Sequence, residues 1–497
     1  MIPAVAAPRR RVARATALAA ALALAAAAPA CTDDGGSDEG TPPTVATDGL
    51  GADVVDDVPD EVFGGLGDPR IDVDSYDVTL ALDPESDELS GTAQLVLSAT
   101  TDAPLESFTL DLRGPTATSA TVDGDPAEVV EADDGEIEVV PARELLPGRP
   151  VEVVVAYEGE PDQTPLPAAG VPIGLQHDDE GGWFTFSKPN GTSTWTPAND
   201  HPSDPATWRI ALDVPDGAVG VASGHLADAD PPVIDRRRRW VWELTQPTAP
   251  YLVAVAAGDL ELRPGDGSPA AADGGEASRV DAVPAGSASM ADLGLGDHDA
   301  ILAFYAERFG PDPDPDQGVL VVPGGDGLAL EARSRPVISA GATGDGPVYI
   351  LAHELAHRWF GGAAAPASWE DLWLVEAWAT YADWLWRDHA GIDPLEPRVA
   401  AVAEARADEG IPVRDPVAAA TFDLVLQEGG ALALHALRTQ IGDDAFFAVA
   451  RRLVAERTGW TMSTEDLVAL AEEESGEDLA GFFEAWLDTA PQPPPGG

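Results

Sequence analysis

The chain has 497 residues, 44% of them hydrophobic, which is enough for two or three domains with cores of their own and excludes a disordered polypeptide. Its 87 acidic against 28 basic residues leave a formal charge of −59, which repels phosphate backbones and argues against nucleic acid as a partner. The plain reading of that charge is a solvated acidic surface. Cys31 is the sole cysteine, so no intramolecular disulfide can form, and Lys188 is the sole lysine.

The first element is an export signal. Arg9, Arg10, Arg11 and Arg14 precede a short apolar run, Thr16 to Ala30, which ends at Cys31. This pattern reads as a bacterial secretory signal over 1–31. The run is too short to span a bilayer as a mature helix, and no other stretch is long and apolar enough. Two endings stay open. Cleavage after "APA" releases a secreted protein, or lipidation of Cys31 makes a cell-surface lipoprotein held on the membrane by its anchor. The residues before Cys31 lack the leucine usual in lipoprotein signals, but the position of the lone cysteine favours the anchor. Either way the protein is exported. Residues 32–69, acidic and rich in Gly and Pro, read as a flexible tether.

From about residue 70 the texture alternates. "YDVTLALD", "GTAQLVLSAT", "SFTLDLRG", "VEVVVAYEGE", "TWRIALDVP" and "YLVAVAAGDLEL" put apolar residues on one face and polar ones on the other, bounded by Gly, Pro and Asp. They predict an antiparallel β domain over 70–262. A Gly/Ala/Asp-rich stretch makes 263–285 a linker. Helical texture begins at "DHDAILAFYAERFG" and, after one strand-like interlude at 318–338, continues to 488. The tail 489–497 reads as disordered. The fold class is α+β and multidomain, strands first and helices after.

Within the helical part stands "PVYILAHELAHRWF". A helix there puts His353 and His357 on one face, four residues apart, as two nitrogen ligands of a tetrahedral zinc ion require. Glu354, beside the first ligand, is placed to act on water at the metal. Glu376 follows His357 after 18 residues, on the helix-like, Trp-rich "DLWLVEAWATYADWLW". Packed against the first helix, this segment makes Glu376 the third ligand. Two His and one Glu leave a fourth position open, the layout of a catalytic rather than a structural site. Trp359, Trp369, Trp373, Trp378, Trp384 and Trp386 read as packing between helices.

These motifs resemble the gluzincin metallopeptidases of the aminopeptidase N type. The likeness runs over 353–386, over "FGPDPDPDQGVLVV", and over "TWTPANDHPSDPATWRIALDVP", in all about residues 70 to 485. It implies a thermolysin-like, mainly helical catalytic domain over 286–488, one zinc ion per chain, and Glu354 as general base. The implied activity is removal of the first residue from peptides with a free N-terminus. "GLALEARSRP" stands where the family carries G-x-M-E-N, which makes Glu331 the match for the amine-binding glutamate. Leu330 and Ala332 replace the methionine and the asparagine.

The family also places a tyrosine beyond the glutamate ligand, as a donor to the oxyanion. No tyrosine follows Tyr381, and Gln427 in "LQEGGALALHALR" aligns with it. Three readings stay open. Gln427 is the substitute donor, or another group such as His435 or an arginine takes the role, or the protein is a zinc-containing envelope module that binds peptides with little turnover. An endopeptidase indifferent to the free amine is a fourth.

Overall fold

The computed structural model describes residues 60, 62–132, 135–164, 172–178, 182–265, 278–290, 292–324, 327–342, 348–408, 410–415, 417 and 423–494. The secretory run, Cys31 and most of the tether lie outside the described residues. None of the described helices is long and apolar enough to cross a membrane.

Five of the six alternating stretches lie in an 11-stranded sheet, "YLVAVAAGDLEL" supplying strands to two other sheets, and Ile71–Ala81 is an inner strand of the 11-stranded one. That strand pairs antiparallel with Leu89–Ala99, Tyr76 opposite Leu95, and parallel with Ala206–Pro215, Tyr76 beside Trp208. The sheet is therefore mixed at one seam and otherwise antiparallel. Alternate residues of Ile71–Ala81 and Val151–Gly159 are buried, as one covered face demands. A 4-stranded antiparallel sheet follows, in which Gly182–Phe186 is buried at every position. This strand carries the chain directly to Lys188.

A 6-stranded sheet leads into the helical part. It contains Leu260–Pro264 and Ser278–Pro284, so the sequence boundary at 262 and the linker at 263–285 are corrected. The linker's end is a strand, parallel to Leu320–Val322 and buried at 281–283. Parallel strands covered on both faces lack period-2 alternation, which hid it. Ala329–Leu330 is the edge strand, antiparallel to Val337–Ser339, and Glu331 follows it.

The helices that matter here are α1 (His298–Phe309), α2 (Val348–Ala356), α3 (Leu372–His389) and α4 (Leu395–Arg406). Their core is aromatic. Trp378 stacks on Phe360 with ring centroids 4.6 Å apart, and Tyr305 meets Trp359 edge-on at 5.8 Å. All six tryptophans between 359 and 386 are buried in this core, as packing residues.

Both ends of the described part of the chain pack further than their composition suggests. Residues 60 and 62–69 were expected in the tether. Instead Asp60 accepts the Trp369 backbone N–H at 2.9 Å, and Phe63 lies edge-on to Trp369 at 5.6 Å. In the expected tail, the Gln492 amide donates to the Gly429 carbonyl at 3.0 Å.

Candidate metal centre

Helix α2 ends at Ala356, earlier than the sequence suggests, because the chain tightens before Gly361 and Gly362. Arg358 and Trp359 bond back three residues, to Leu355 and Ala356, as a last helical turn often does. Gly361 takes a φ of +113°, which a side chain would resist. His357 sits in that turn, yet it still faces His353, with the two Nε2 atoms 3.2 Å apart. The Nδ1–H of His357 donates to the Phe360 carbonyl at 3.0 Å, which leaves Nε2 as the free lone pair.

Helix α3 packs on α2 and brings Glu376 to the pair, with Oε2 3.5 Å from His353 Nε2. The ligand atoms of His353, His357 and Glu376 all lie within 4.8 Å of one another. The fit to zinc can be tested on the nitrogens. Two bonds of ~2.05 Å at the tetrahedral angle hold their nitrogens ~3.3 Å apart, close to the separation here. The three residues that the sequence singled out as ligands thus lie in one cluster.

Glu354, Glu331 and His357 form an overlapping cluster at the same distance limit. All three are buried. Burial pushes the Glu354 carboxyl up, to about 8, with the His353 charge pulling the other way. The upward push favours proton uptake by this carboxyl, as a group that accepts a proton requires. One Glu354 oxygen, Oε2, is buried without a partner among the described residues. Burial also lowers His357 and so favours its neutral, ligating form. Burial acts to lower His353 too, but its hydrogen bond to Glu376 and the neighbouring carboxylates outweigh this and raise it. Burial would raise Glu376; Lys188 first, then the histidines, more than offset it and hold that carboxyl well below the usual range.

Lys188 is what sequence reasoning missed at the centre. Its Nζ lies 2.9 Å from Glu331 Oε2 and bonds to Glu376 Oε1 as well. Burial works against the ammonium, but Glu331 and Glu376 raise its pKa above the ordinary lysine value. The available signal was its being the single lysine of the chain, set two residues after the mostly apolar "GWFTF".

Gln427 lies in a π-helical turn, Val425–Gly429, that precedes the helix Gly430–Ile441. Such turns are frequent at functional sites. Its Nε2 donates to Glu376 Oε2 at 3.0 Å. His435 instead bonds Tyr381, Nδ1 to OH at 3.2 Å, and Arg438 donates to the same hydroxyl. The structure thus brings Gln427, and not His435, to the ligand carboxylate.

A second buried network holds the loop after Glu331 against the end of α2. Arg333 pairs with Asp314 at 3.1 Å, and Arg358 pairs with Asp312 at 3.0 Å. Arg333 also donates to the Gly362 carbonyl. The two loops that carry Glu331 and His357 are therefore tied together by charge-assisted bonds.

Residues 339–486 match the model of the peptidase family M1 domain. The chain is 26% identical over 464 residues to aminopeptidase N of Streptomyces lividans, covering 84% of this chain and 50% of that protein. It is 25% identical over 318 residues to aminopeptidase N of Lactococcus lactis, covering 59% of this chain and 37% of that protein. The chain thus spans half or less of the length of these two relatives. Among solved structures it is similar to the M1 zinc metallopeptidase of Deinococcus radiodurans, 30% identical with a TM-score of 0.79, covering 88% of this chain and 98% of that one. A mutant of the Deinococcus protein, solved with a Tyr-Ser-Ala substrate, matches with the same TM-score of 0.79.

Proposed function

The chain belongs to the M1 family of zinc metallopeptidases, and on that footing we propose that it is an exported, zinc-dependent aminopeptidase-type hydrolase that acts on the N-terminal end of peptides. The observation that carries this is the convergence of His353, His357 and Glu376 with the buried carboxyls of Glu354 and Glu331 beside them. Zinc held by the first three supplies Lewis acidity towards a carbonyl and towards water. Glu354 takes the proton from the attacking water and returns it to the leaving amine. Glu331 receives the nitrogen at the substrate's N-terminal end. The edge strand Ala329–Leu330 pairs with the substrate backbone. The peptide bound by the Deinococcus relative supports a peptide substrate here.

Export rests on the arginine-led apolar run and on Cys31 at its end, with lipidation of that cysteine as the form favoured. Gln427 speaks for modest turnover. An amide is a weaker donor than a phenol, and this one already bonds a ligand carboxylate.

The test is purified protein with its zinc counted by mass spectrometry. Wild type should hold one zinc and hydrolyse aminoacyl or peptidyl reporters, losing both activity and zinc to a chelator. Glu354→Gln should keep the zinc and lose at least 100-fold in kcat, an order expected for a general base. Full zinc with no hydrolysis of any peptide would leave only a binding module.

A further inference from the structure

The amine-binding carboxylate of this site already has a cation. Lys188 is the single lysine among the 28 basic residues of the chain, and it is only 6% exposed at the side chain. Its ammonium is bonded to Glu331 and to Glu376 together. Ser187, one residue before, ties this turn to the Val253 carbonyl at 2.7 Å and so fixes where the lysine starts.

We propose that Lys188 determines the substrate class of the site. It neutralises Glu331, so that the nitrogen received there is a neutral amide N–H in preference to a free α-ammonium. This rests on the zinc-hydrolase part of the reading above and changes its substrate, because the nitrogen at Glu331 need not be a free terminal amine. The shared chemistry is an amide nitrogen, supplied either by an N-acylated terminus or by an interior peptide bond.

Three observations support the inference. First, the Glu331 charge is compensated without a substrate. Lys188 lies 2.9 Å from its Oε2, and zinc, which His353, His357 and Glu376 would hold, would leave no uncompensated negative charge at its ligands. A substrate ammonium at Glu331 would be a further cation, beside an ammonium and near a dication, in a pocket with little water to screen them. Second, the acceptor capacity of Glu331 is not exhausted. Oε2 is taken by Lys188, but Oε1 is buried and has no partner among the described residues. An acceptor that is open while its charge is compensated suits a neutral donor. Third, Ala329–Leu330 is the edge of its sheet, so an extended peptide with residues on both sides of the scissile bond can pair beside it.

The experiment compares matched ligands on the zinc-loaded full chain. Free and N-acetylated forms of one tripeptide, and a peptide with blocked ends cleaved in its interior, are assayed for kcat/KM. Binding of L-leucine and N-acetyl-L-leucine is measured in parallel by calorimetry. Wild type should prefer the amide-bearing member in both assays. Lys188→Met should shift the free-to-blocked ratio towards the free amine by about 10- to 100-fold, as removal of a buried like charge implies, while Lys188→Arg retains the wild-type ratio. Cleavage of the acetylated tripeptide points to acylated termini, and cleavage of the interior bond points to an endopeptidase. Wild-type preference for the free amine in both assays overturns the inference, whether or not the variants fold. Zinc-loaded protein that hydrolyses nothing defeats the hydrolase reading alone, because the calorimetric preference still decides the role of Lys188.

Discussion

Gln427 donates its side-chain amide to the Glu376 carboxylate, Nε2 to Oε2 at 3.0 Å. The contact makes Gln427 a partner of a candidate metal ligand. Bonds of this kind orient ligating carboxylates, and their loss typically costs 10- to 100-fold in metal affinity or activity. Gln427→Ala should therefore weaken zinc binding by about tenfold, measured by competition with a chromophoric chelator. A variant with unchanged zinc affinity and a roughly 100-fold lower kcat would instead make the amide an oxyanion donor.

Gly430 is what lets that turn approach α3. A Cβ built at residue 430 would stand 2.6 Å from the Ala377 Cβ and 3.3 Å from the Trp373 ring. Neither neighbour can swing aside, since one is a methyl on a helix and the other is a fully buried indole. Gly430→Ala should push the π-helical turn off α3, at a cost of about 1–3 kcal/mol. Gln427 then withdraws from Glu376, so zinc affinity should fall together with the thermal midpoint. A stable variant with intact zinc affinity would mean that the turn is not held by this contact.

The candidate metal ligands were legible as a group because two of them obey a local rule. Four residues on a helix bring His353 and His357 to one face, and the strands of the first sheet show their period of two. What escaped was set by distant partners. Asp60 is ordered by Trp369, which lies 309 residues away, and no composition rule sees that. Ser278–Pro284 carries no alternation because its middle is covered on both faces. Lys188 looked like one polar residue after a strand. Only the return of Glu331 and Glu376 to the same place, from the edge strand and from α3, gives it a role. The early end of α2 depends on the left-handed Gly361, where two glycines in a row were the visible signal.

A pH effect follows from a buried acid away from the metal. Asp111 Oδ2 accepts the backbone N–H of Gly67 at 3.1 Å and that of Asp200 at 2.9 Å. Burial, and then the Asp200 charge, push the Asp111 carboxyl up to about 8. The folded state thus binds a proton that the unfolded chain releases near ~3.9. The stabilisation is complete below that lower value and is lost as pH rises through about 8. Asp111→Asn keeps an acceptor and removes the ionisation. Denaturant titrations at pH 5 and pH 8 should show the wild type losing more stability than the variant across this range. An equal loss in both would place the proton elsewhere.

The pair Arg358–Asp312 tests whether the buried network supports the centre or merely fills space. Asp312 accepts from Arg358 at 3.0 Å and from the Gln317 amide at 2.9 Å, and it is buried. In Asp312→Ala the guanidinium keeps Asp314, at 3.9 Å, and the carbonyls of Ser334, Asp314 and Asp316. It loses its closest counter-charge. Removing the closest partner of a buried charge leaves it only partly compensated, at a cost of up to about 3–5 kcal/mol. Arg358 follows His357 in the chain, so the disturbance reaches the ligand turn. The expected result is a loss of that size in denaturant unfolding together with weaker zinc binding. Because Arg333 still joins Asp314 to Gly362, the Glu331 loop should stay in place and the free-to-blocked substrate ratio should not move. A change in that ratio would show that the two arginines act as one network.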